Sequence, residues 1–283
     1  MRYLLLLLTL LSWHSNASNA EPCAEGPQCV AQQQLHLSWA LGYGQRSNPL
    51  YGGEQLPLVL LPDIYYYSEH WFFDNGIIGS SMALSDNVQL SLLGQFNQEK
   101  GYFQKWFSGN VLQFDNAMVG PTIGTQFHSR TAVTVQQVNK RPTAFDVGLQ
   151  LDWFSDIWRA QAVLWQDVSN TYHGQHASLS LSRGWQKFNS SWQLGLRLHW
   201  KSAKLIDTYY GIDNNETVFL PRYNGKPSWQ PELRLNRQKP ISERVSLLAF
   251  VRYLHLDDAM TQSPLVRTDE VTTWFLGVSY RFY

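Results

Sequence analysis

Beyond residue 33, apolar and polar side chains alternate with a period of two over long stretches of the chain. Between residues 192 and 200, Trp or Leu occupies every even position, and a polar residue or glycine occupies every odd one. Similar ladders run through residues 35–43, 88–96 and 145–153. This period is typical of a β-strand whose two faces meet different surroundings. No helical stripe of comparable length competes with it, so the pattern predicts an all-β protein.

The length of these ladders indicates which way their apolar faces point. Eight steps of about 3.3 Å, on a strand tilted by roughly 40°, span about 20 Å, close to the ~25 Å apolar band of an outer-membrane barrel. Strands of soluble proteins more often have about five or six residues. The C-terminal residues Gly277, Tyr280 and Phe282 also resemble the last-strand signal that delivers barrels to their assembly machinery, although Tyr283 follows the expected terminal Phe. We therefore predict an antiparallel transmembrane β-barrel of the outer membrane.

The number of strands follows less directly from the ladders. Counting back from the C-terminus, the candidate strands are 271–282, 244–257, 229–240, 189–202, 175–187, 157–168, 143–155, 130–138, 116–128 and 87–97. Three further candidates before residue 86 bring the total to thirteen, whereas bacterial barrels of this kind have an even number of strands. We predict about twelve strands, with ten as the alternative. The tight turns near 156, 188 and 242 would then face the periplasm, and segments 98–115, 203–228 and 258–270 would face outward.

The N-terminus is typical of a secreted protein. Residues 1–20 combine an early Arg2, an apolar stretch and small residues at positions 18–20, which predicts a cleaved signal peptide, with a retained membrane anchor as the alternative. Residues 21–33 are expected to form a periplasmic tail, and 34–283 the barrel. Cys23 and Cys29 lie six positions apart in this tail, so an oxidising compartment favours a small disulfide loop, with two free thiols as the alternative.

The composition of the chain argues against several other classes of protein. The chain has 22 Lys and Arg against 22 Asp and Glu and no basic stripe, which argues against a nucleic-acid partner. After the first dozen residues, no apolar run reaches the roughly 18 residues of a membrane-spanning helix. The 12 Trp, 14 Tyr and 14 Phe are too many for a disordered chain.

The same alternation assigns several charged side chains to the barrel interior. These residues are Arg197, Arg234, Arg252, Arg281, Asp146, Asp152 and Glu232. Charges of both signs in one lumen predict mutual pairing and a narrow or plugged barrel, because a selective pore usually displays one dominant sign. A narrow channel for small molecules remains the alternative function.

Two short motifs deserve to be tested as catalytic sites. His176-Ala177-Ser178 matches the His-x-Ser motif of some outer-membrane acyl hydrolases. The alternation, however, points His176 and Ser178 into the lumen, away from lipid. His255-Leu256-Asp257-Asp258 has the composition of an outer-membrane protease but lacks a second Asp pair on a facing strand. The eight His residues show no metal-ligand spacing, and no phosphate-binding loop occurs. We therefore predict no catalytic residues, no metal and no cofactor, with an acyl hydrolase as a remote alternative.

Five short segments, in the same order along the chain, give it a resemblance to a known family. They are Asn48-Pro49-Leu50-Tyr51-Gly52, Trp71-Phe72-Phe73 with Gly79, Tyr209-Tyr210-Gly211 with Tyr223, Ser263-Pro264-Leu265-Val266, and Tyr280-Arg281-Phe282. In these segments the chain resembles the MipA/OmpV family of outer-membrane proteins; residues 100–180 offer no clear match, and the Cys23–Cys29 loop is not typical of it.

The resemblance implies an outer-membrane barrel without enzymatic activity that acts as a scaffold for peptidoglycan-modifying enzymes. The implied partners are a murein lytic transglycosylase and a murein synthase, besides the barrel-assembly machinery, membrane lipid and lipopolysaccharide. One conflict arises, because the predicted topology places Tyr209-Tyr210-Gly211 and Ser263-Pro264 in outward loops, whereas a murein enzyme is met from the periplasm. Tyr, Gly and Pro in loops commonly shape turns and fill space, which favours a structural role for these residues. Surface adhesion through the loops is a third possible function.

Overall fold

The computed structural model describes residues 33–103, 132–213, 216 and 221–282. Among these residues, twelve antiparallel strands close into a barrel in which each strand pairs with its neighbours in sequence and β1 pairs with β12. The strands are β1 (Leu35–Arg46), β2 (Leu56–Tyr67), β3 (Phe72–Asp74), β4 (Ile77–Ser85), β5 (Val88–Phe96), β6 (Phe145–Phe154), β7 (Trp158–Asp167), β8 (Gln175–Gln186), β9 (Ser191–Lys201), β10 (Ser228–Pro240), β11 (Val245–His255) and β12 (Glu270–Arg281). The helices are a 3-10 helix (Glu99–Phe103), α1 (Ala203–Tyr210) and α2 (Asp258–Thr261). None of these described helices is long and apolar enough to cross a membrane.

The predicted twelve-stranded barrel is confirmed, and eight of the ten C-terminal candidate strands match observed strands to within a few residues. The prediction of a strand over 130–138 is wrong for its described part, 132–138, which forms a turn. There the side chain of Gln137 accepts hydrogen bonds from the amide and hydroxyl of Thr134, and such local bonds compete with strand pairing. The candidate strand 116–128 lies outside the described residues.

The N-terminal part of the barrel contains four strands instead of the three candidates expected from the sequence. The additional strand, β3, has only three residues, Phe72 to Asp74. It pairs with β2 through Tyr65–Tyr67 and with β4 through Ile77–Gly79. Three residues are too few for an alternating pattern to be recognised, and this strand restores the even number.

The two faces of the wall differ as the alternation predicts. Leu196 and Leu149 on the outer face are 59% and 54% exposed. On the inner face Asp146 and Asp152 are almost completely buried. The apolar face therefore points outward, toward lipid, and the charged face points into the lumen.

The two ends of the barrel also differ. At one end, which we call the short-turn end, residues 155–157, 187–190 and 241–244 connect consecutive strands. At the other, the long-loop end, the connections between consecutive strands are longer, at residues 97–144, 202–227 and 256–269. Short turns of bacterial outer-membrane barrels face the periplasm, so the long-loop end faces outward.

Glycines on the inner wall make room for large aromatic rings. Gly148 lies directly opposite Trp165 in the register of β6 and β7, and a Cβ atom at Gly148 would lie 2.5 Å from Trp165 Cε3. Gly195, on the inner face of β9, has its nearest such neighbour at 3.6 Å. Of these two positions, only Gly148 is required to be a glycine by close packing.

We expect Gly148→Ala to destabilise the barrel by about 1–3 kcal/mol, because Trp165 has to leave its packed position. The free energy of unfolding in detergent micelles, followed in urea by tryptophan fluorescence, measures the change. Gly195→Ala is the matched control and should leave the midpoint unchanged. Equal effects of the two substitutions would show that the ring packing does not determine the requirement for glycine.

Candidate functional site

The loops at the long-loop end turn inward and share one apolar core. We call this unit the loop cap; it consists of segments 47–55, 97–103, 132–144, 168–174, 202–213, 221–227 and 256–269. The buried apolar residues of the cap are Leu50, Tyr102, Val133, Ala144, Tyr172, Leu205, Ile206, Tyr209, Tyr210, Ile212, Tyr223, Leu256, Met260, Leu265 and Val266. A core of this size holds the loops across the outer mouth of the barrel.

Asn48 connects the first loop to the 3-10 helix. Its Nδ2 donates to the carbonyl oxygens of Tyr102 and Glu54 at 2.9 and 3.1 Å, and its Oδ1 accepts from the amide of Leu50 at 3.0 Å. The side chain is buried. An amide can donate and accept at once, which explains why this position suits Asn.

Backbone hydrogen bonds join the first loop to the last one. The amide of Tyr51 donates to the carbonyl of Leu265 at 2.8 Å, and the amide of Arg267 donates to that of Pro49 at 2.7 Å. The carbonyl of Pro264 accepts from the amide of Val133 at 3.1 Å. Segments 47–55, 132–144 and 256–269 are thus joined as in a small sheet, although they are far apart in sequence.

Gly52 lies at the tip of the first loop, where the backbone has a φ of +69°. Its carbonyl accepts from the side chain of Gln136 at 2.9 Å, and a Cβ atom here would collide with that same side chain. A positive φ is readily adopted by glycine, so both backbone and packing explain the residue.

Helix α1 carries Tyr209-Tyr210-Gly211 into the centre of the cap. Its C-terminal carbonyls are bound by side chains of other segments: Ser263 donates to Tyr210 at 2.6 Å, and Arg141 donates to Tyr209 and Gly211 at 2.9 and 2.8 Å. These contacts satisfy carbonyl groups that a helix end leaves without partners. The structure therefore brings together all nine loop residues singled out in the sequence, Asn48, Pro49, Tyr51, Gly52, Tyr209, Tyr210, Gly211, Ser263 and Pro264.

A buried ion pair joins the cap to the barrel wall. Lys201, the last residue of β9, lies 2.6 Å from Glu99 Oε1, and the hydroxyl of Tyr210 donates to Glu99 Oε2 at 2.6 Å. Burial alone would raise the pKa of Glu99, but the ammonium group of Lys201 and the hydrogen bonds from Lys201 and Tyr210 outweigh it, so the pKa lies below its ordinary value. Burial, together with the nearby Glu99, raises the pKa of Tyr210 well above its ordinary value. At neutral pH this group therefore contains a carboxylate, an ammonium and a neutral phenol.

The two motifs tested as catalytic sites have structural contacts instead. His176 Nε2 lies 3.0 Å from Asp146 Oδ2, and no hydrogen bond joins His176 to Ser178 in the described part of the chain. Asp257 accepts from the hydroxyl of Ser228 and the amide of Trp229 at 2.6 and 2.7 Å, which fixes the start of β10. Within the described ranges, no three His, Cys, Asp or Glu side chains are placed to hold a metal ion.

Below the cap, several charges of the lumen are paired, either across neighbouring strands or within one strand. Asp152 lies 2.9 Å from Arg159, and Glu232 lies 3.6 and 3.5 Å from Arg234 and Arg252. The predicted pairing is confirmed for Asp152 and Glu232.

The remaining predicted site residues lie elsewhere. Gly277 faces the lumen on β12, whereas Tyr280 and Phe282 face outward with their rings 4.9 Å apart. Their role in barrel assembly remains a prediction. Cys23 and Cys29, like the expected signal peptide, lie outside the described residues.

Sequence reasoning missed Glu99, Lys201 and Arg141. Each is a charged residue in a loop or at a strand end, where solvent exposure is the ordinary expectation. Their partners are contributed by segments far away in sequence, so no local pattern identifies them.

We expect Glu99→Gln to loosen the loop cap, because it leaves the ammonium group of Lys201 buried without a partner, at a cost of about 3–5 kcal/mol. The rate of protease cleavage within the cap at pH 7 should rise at least about tenfold while the barrel stays folded. Glu54→Gln, in an exposed position of the same end, is the matched control and should leave the rate unchanged.

The pH dependence of the cap follows from the lowered pKa of Glu99. A carboxylate with a lowered pKa stabilises the folded form above its unfolded value of 4.5, and this contribution is lost as the pH falls through the folded value. Cap cleavage in the unmodified protein should therefore stay constant from pH 8 to 5 and rise only below about pH 4.5. The rise should be absent in Glu99→Gln; a rise of equal size in both proteins would contradict the assignment.

Comparison with known proteins agrees with an outer-membrane barrel. The family model described as MltA-interacting protein MipA matches residues 41–282. YiaT of Escherichia coli strain K12, which is named as an outer membrane protein, is 26% identical over 260 residues, covering 90% of this chain and 95% of that protein. The MltA-interacting protein of the same strain is 30% identical over 90 residues, covering 31% of this chain and 36% of that protein.

Among solved structures, the NanC porin is similar with a TM-score of 0.40 at 10% identity, covering 87% of this chain and 99% of that one. A bacterial polysaccharide outer membrane secretin is similar with a TM-score of 0.40 at 9% identity, covering 90% and 100%. Values this low carry no argument about function. The family model, in contrast, covers nearly the whole barrel, and the chain belongs to the MltA-interacting protein MipA family of outer-membrane β-barrels.

Proposed function

We propose that this protein is a non-catalytic outer-membrane barrel that holds a murein lytic transglycosylase, and with it a murein synthase, at the periplasmic face of the membrane. The family description and the relative named MltA-interacting protein support a partner among murein enzymes. That relative matches about a third of this chain, so a murein enzyme as the partner of this protein is a proposal.

The main structural support for the proposal is the exposure of apolar side chains at the short-turn end. Ile157, Phe188 and Ile241 occupy three turns that connect β6 to β7, β8 to β9 and β10 to β11. They are 44%, 78% and 59% exposed. Exposed apolar groups on neighbouring hairpins are a contact surface of the kind that binds another protein. We call this set the turn patch.

The loop cap removes the conflict between the family segments and a periplasmic partner. Residues of three of those segments, 48–52, 209–211 with Tyr223, and 263–266, pack together at the long-loop end, so contacts within the cap account for them. A murein enzyme then needs to meet only the turn patch, at the opposite end.

The remaining partners are proposed from the outer wall and the last strand. The exposed Leu and Trp of the wall suit membrane lipid and lipopolysaccharide. Gly277, Tyr280 and Phe282 are proposed as the signal for the barrel-assembly machinery. Transport through an open channel is not favoured, because the cap lies across the outer mouth.

We expect the double variant Phe188→Ser/Ile241→Ser to recover about tenfold less lytic transglycosylase than the unmodified protein, because two apolar contacts are lost. The measurement is affinity capture from crosslinked envelopes, with the enzyme quantified by mass spectrometry. Val168→Ser is the control, since Val168 is an apolar residue that is 50% exposed in the loop between β7 and β8, at the long-loop end.

Recovery of the transglycosylase in equal amounts from all three proteins would exclude the turn patch as its binding surface. Recovery of assembly machinery and lipopolysaccharide alone would exclude the scaffold itself. Steady, ion-selective openings of the unmodified protein in a planar bilayer would favour the channel.

A further inference from the structure

Four arginines lie side by side on one wall of the lumen. We call Arg46, Arg197, Arg234 and Arg252 the basic arc. Arg234 is directly opposite Arg252 in the register of β10 and β11, and Arg252 and Arg46 are both opposite Thr273 of β12. Arg197 lies across from Glu232 on the neighbouring pair of strands. The arc thus runs from β9 to β1 at nearly one height in the barrel.

The arc has more positive charge than the described residues neutralise. Glu232 is the carboxylate within 4 Å of Arg234 and Arg252, at 3.6 and 3.5 Å, and both distances exceed a good hydrogen bond. The Nε atom of Arg252 is buried and has no hydrogen-bond partner among the described residues. Arg46 donates to the hydroxyl of Tyr102, a neutral group, at 2.5 Å.

The other nearby acid, Glu99, offsets part of the charge of Arg46 but not that of Arg234 or Arg252. Glu99 is bound by Lys201 and Tyr210, as described above. Directly opposed like charges on paired strands destabilise a sheet. A fold that keeps Arg234 opposite Arg252 is therefore better explained by an anion that enters the arc than by pairing within the wall.

Water reaches the arc from one side. Toward the long-loop end, Ser228 and Gln230 are fully buried beneath the cap. Toward the short-turn end, Gln193 and Gln238 are exposed, and the side chains of Arg234 and Arg252 are 30% and 36% accessible. The cap covers the lumen at the outer mouth; toward the short-turn end, the lumen is exposed along β9 and β10, whereas Phe250 and Phe275 stack on the side of β11 and β12.

We propose that the basic arc binds a small solute bearing an oxyanion group, a carboxylate or a phosphate, that enters from the periplasmic end of the barrel. Guanidinium groups match both of these anions through paired N–H donors. Arg234 and Arg252 contact the anion, and Arg197 and Arg46 contribute positive potential from either side. Glu232 occupies part of the site and competes with the ligand.

The experiment uses the folded protein in detergent micelles, titrated by calorimetry with glucuronate, glucose 6-phosphate and uncharged glucose. We expect glucuronate or glucose 6-phosphate to bind with a Kd below about 1 mM at low salt, and glucose not to bind. The tighter of the two anions identifies the group as carboxylate or phosphate.

Three variants locate the site. Arg234→Gln/Arg252→Gln should weaken anion binding at least about tenfold, since both direct contacts are lost. Arg183→Gln is the control for loss of a positive charge elsewhere: it removes one from the outer wall, where Arg183 lies over the ring of Trp158, and should not change the affinity. Glu232→Gln should strengthen binding about three- to tenfold, because the competing carboxylate is removed. The heat-dependent shift in electrophoretic mobility confirms that each variant is folded.

Binding of glucose as tight as that of the two anions would overturn the proposal, as would the absence of anion binding at 10 mM, well above the about 1 mM expected. An unchanged affinity in Arg234→Gln/Arg252→Gln, or a weakened one in Glu232→Gln, would equally contradict it. None of these outcomes depends on a murein enzyme, so the anion site and the proposed scaffold fail separately.

Discussion

Every part of this structure depends on the requirement that a strand in lipid pairs its backbone on both sides. Water is absent there, and an unpaired amide or carbonyl costs several kcal/mol. Pairing of β1 with β12 meets the requirement by closing the sheet. Closure then separates two environments, because alternate side chains of each strand face lipid or lumen. The leucines of the outer wall and the charges of the inner wall are consequences of this one constraint.

The charges that closure directs inward have to be stabilised in a confined space. Asp152 and Glu232 are stabilised by arginines of neighbouring strands, and Asp146 by Asn97, Tyr172 and His176. The cap is joined to the wall by an ion pair of the same kind, because Lys201 at the end of a strand binds Glu99 of a loop. Cap and wall are therefore one electrostatic unit, and the outer mouth is covered by groups that also stabilise the lumen.

The sequence predicts the parts of this arrangement that repeat. Nine to twelve alternating residues identify a strand such as β9, and the exposed leucines confirm that its apolar face points outward. The three residues of β3 carry no period, and Val133 and Val135 resemble a strand while belonging to the cap. The pair of Glu99 and Lys201 joins residues that are 102 positions apart, so only the folded chain brings them together. Short family segments can be recognised in the sequence, but the contacts that join some of them in one buried cap cannot.

The difference between the two barrel ends connects the proposed scaffold with the basic arc. Residues of the long-loop end are used in the cap, whereas Ile157, Phe188 and Ile241 are exposed at the short-turn end. Mixed charges in the lumen predict mutual pairing, and Asp152 with Arg159 agrees with that prediction. The basic arc departs from it, because two of its four guanidinium groups share one carboxylate, Glu232, among the described residues. In the two proposals taken together, the basic arc receives its anion from the same side of the membrane as the turn patch binds its enzyme.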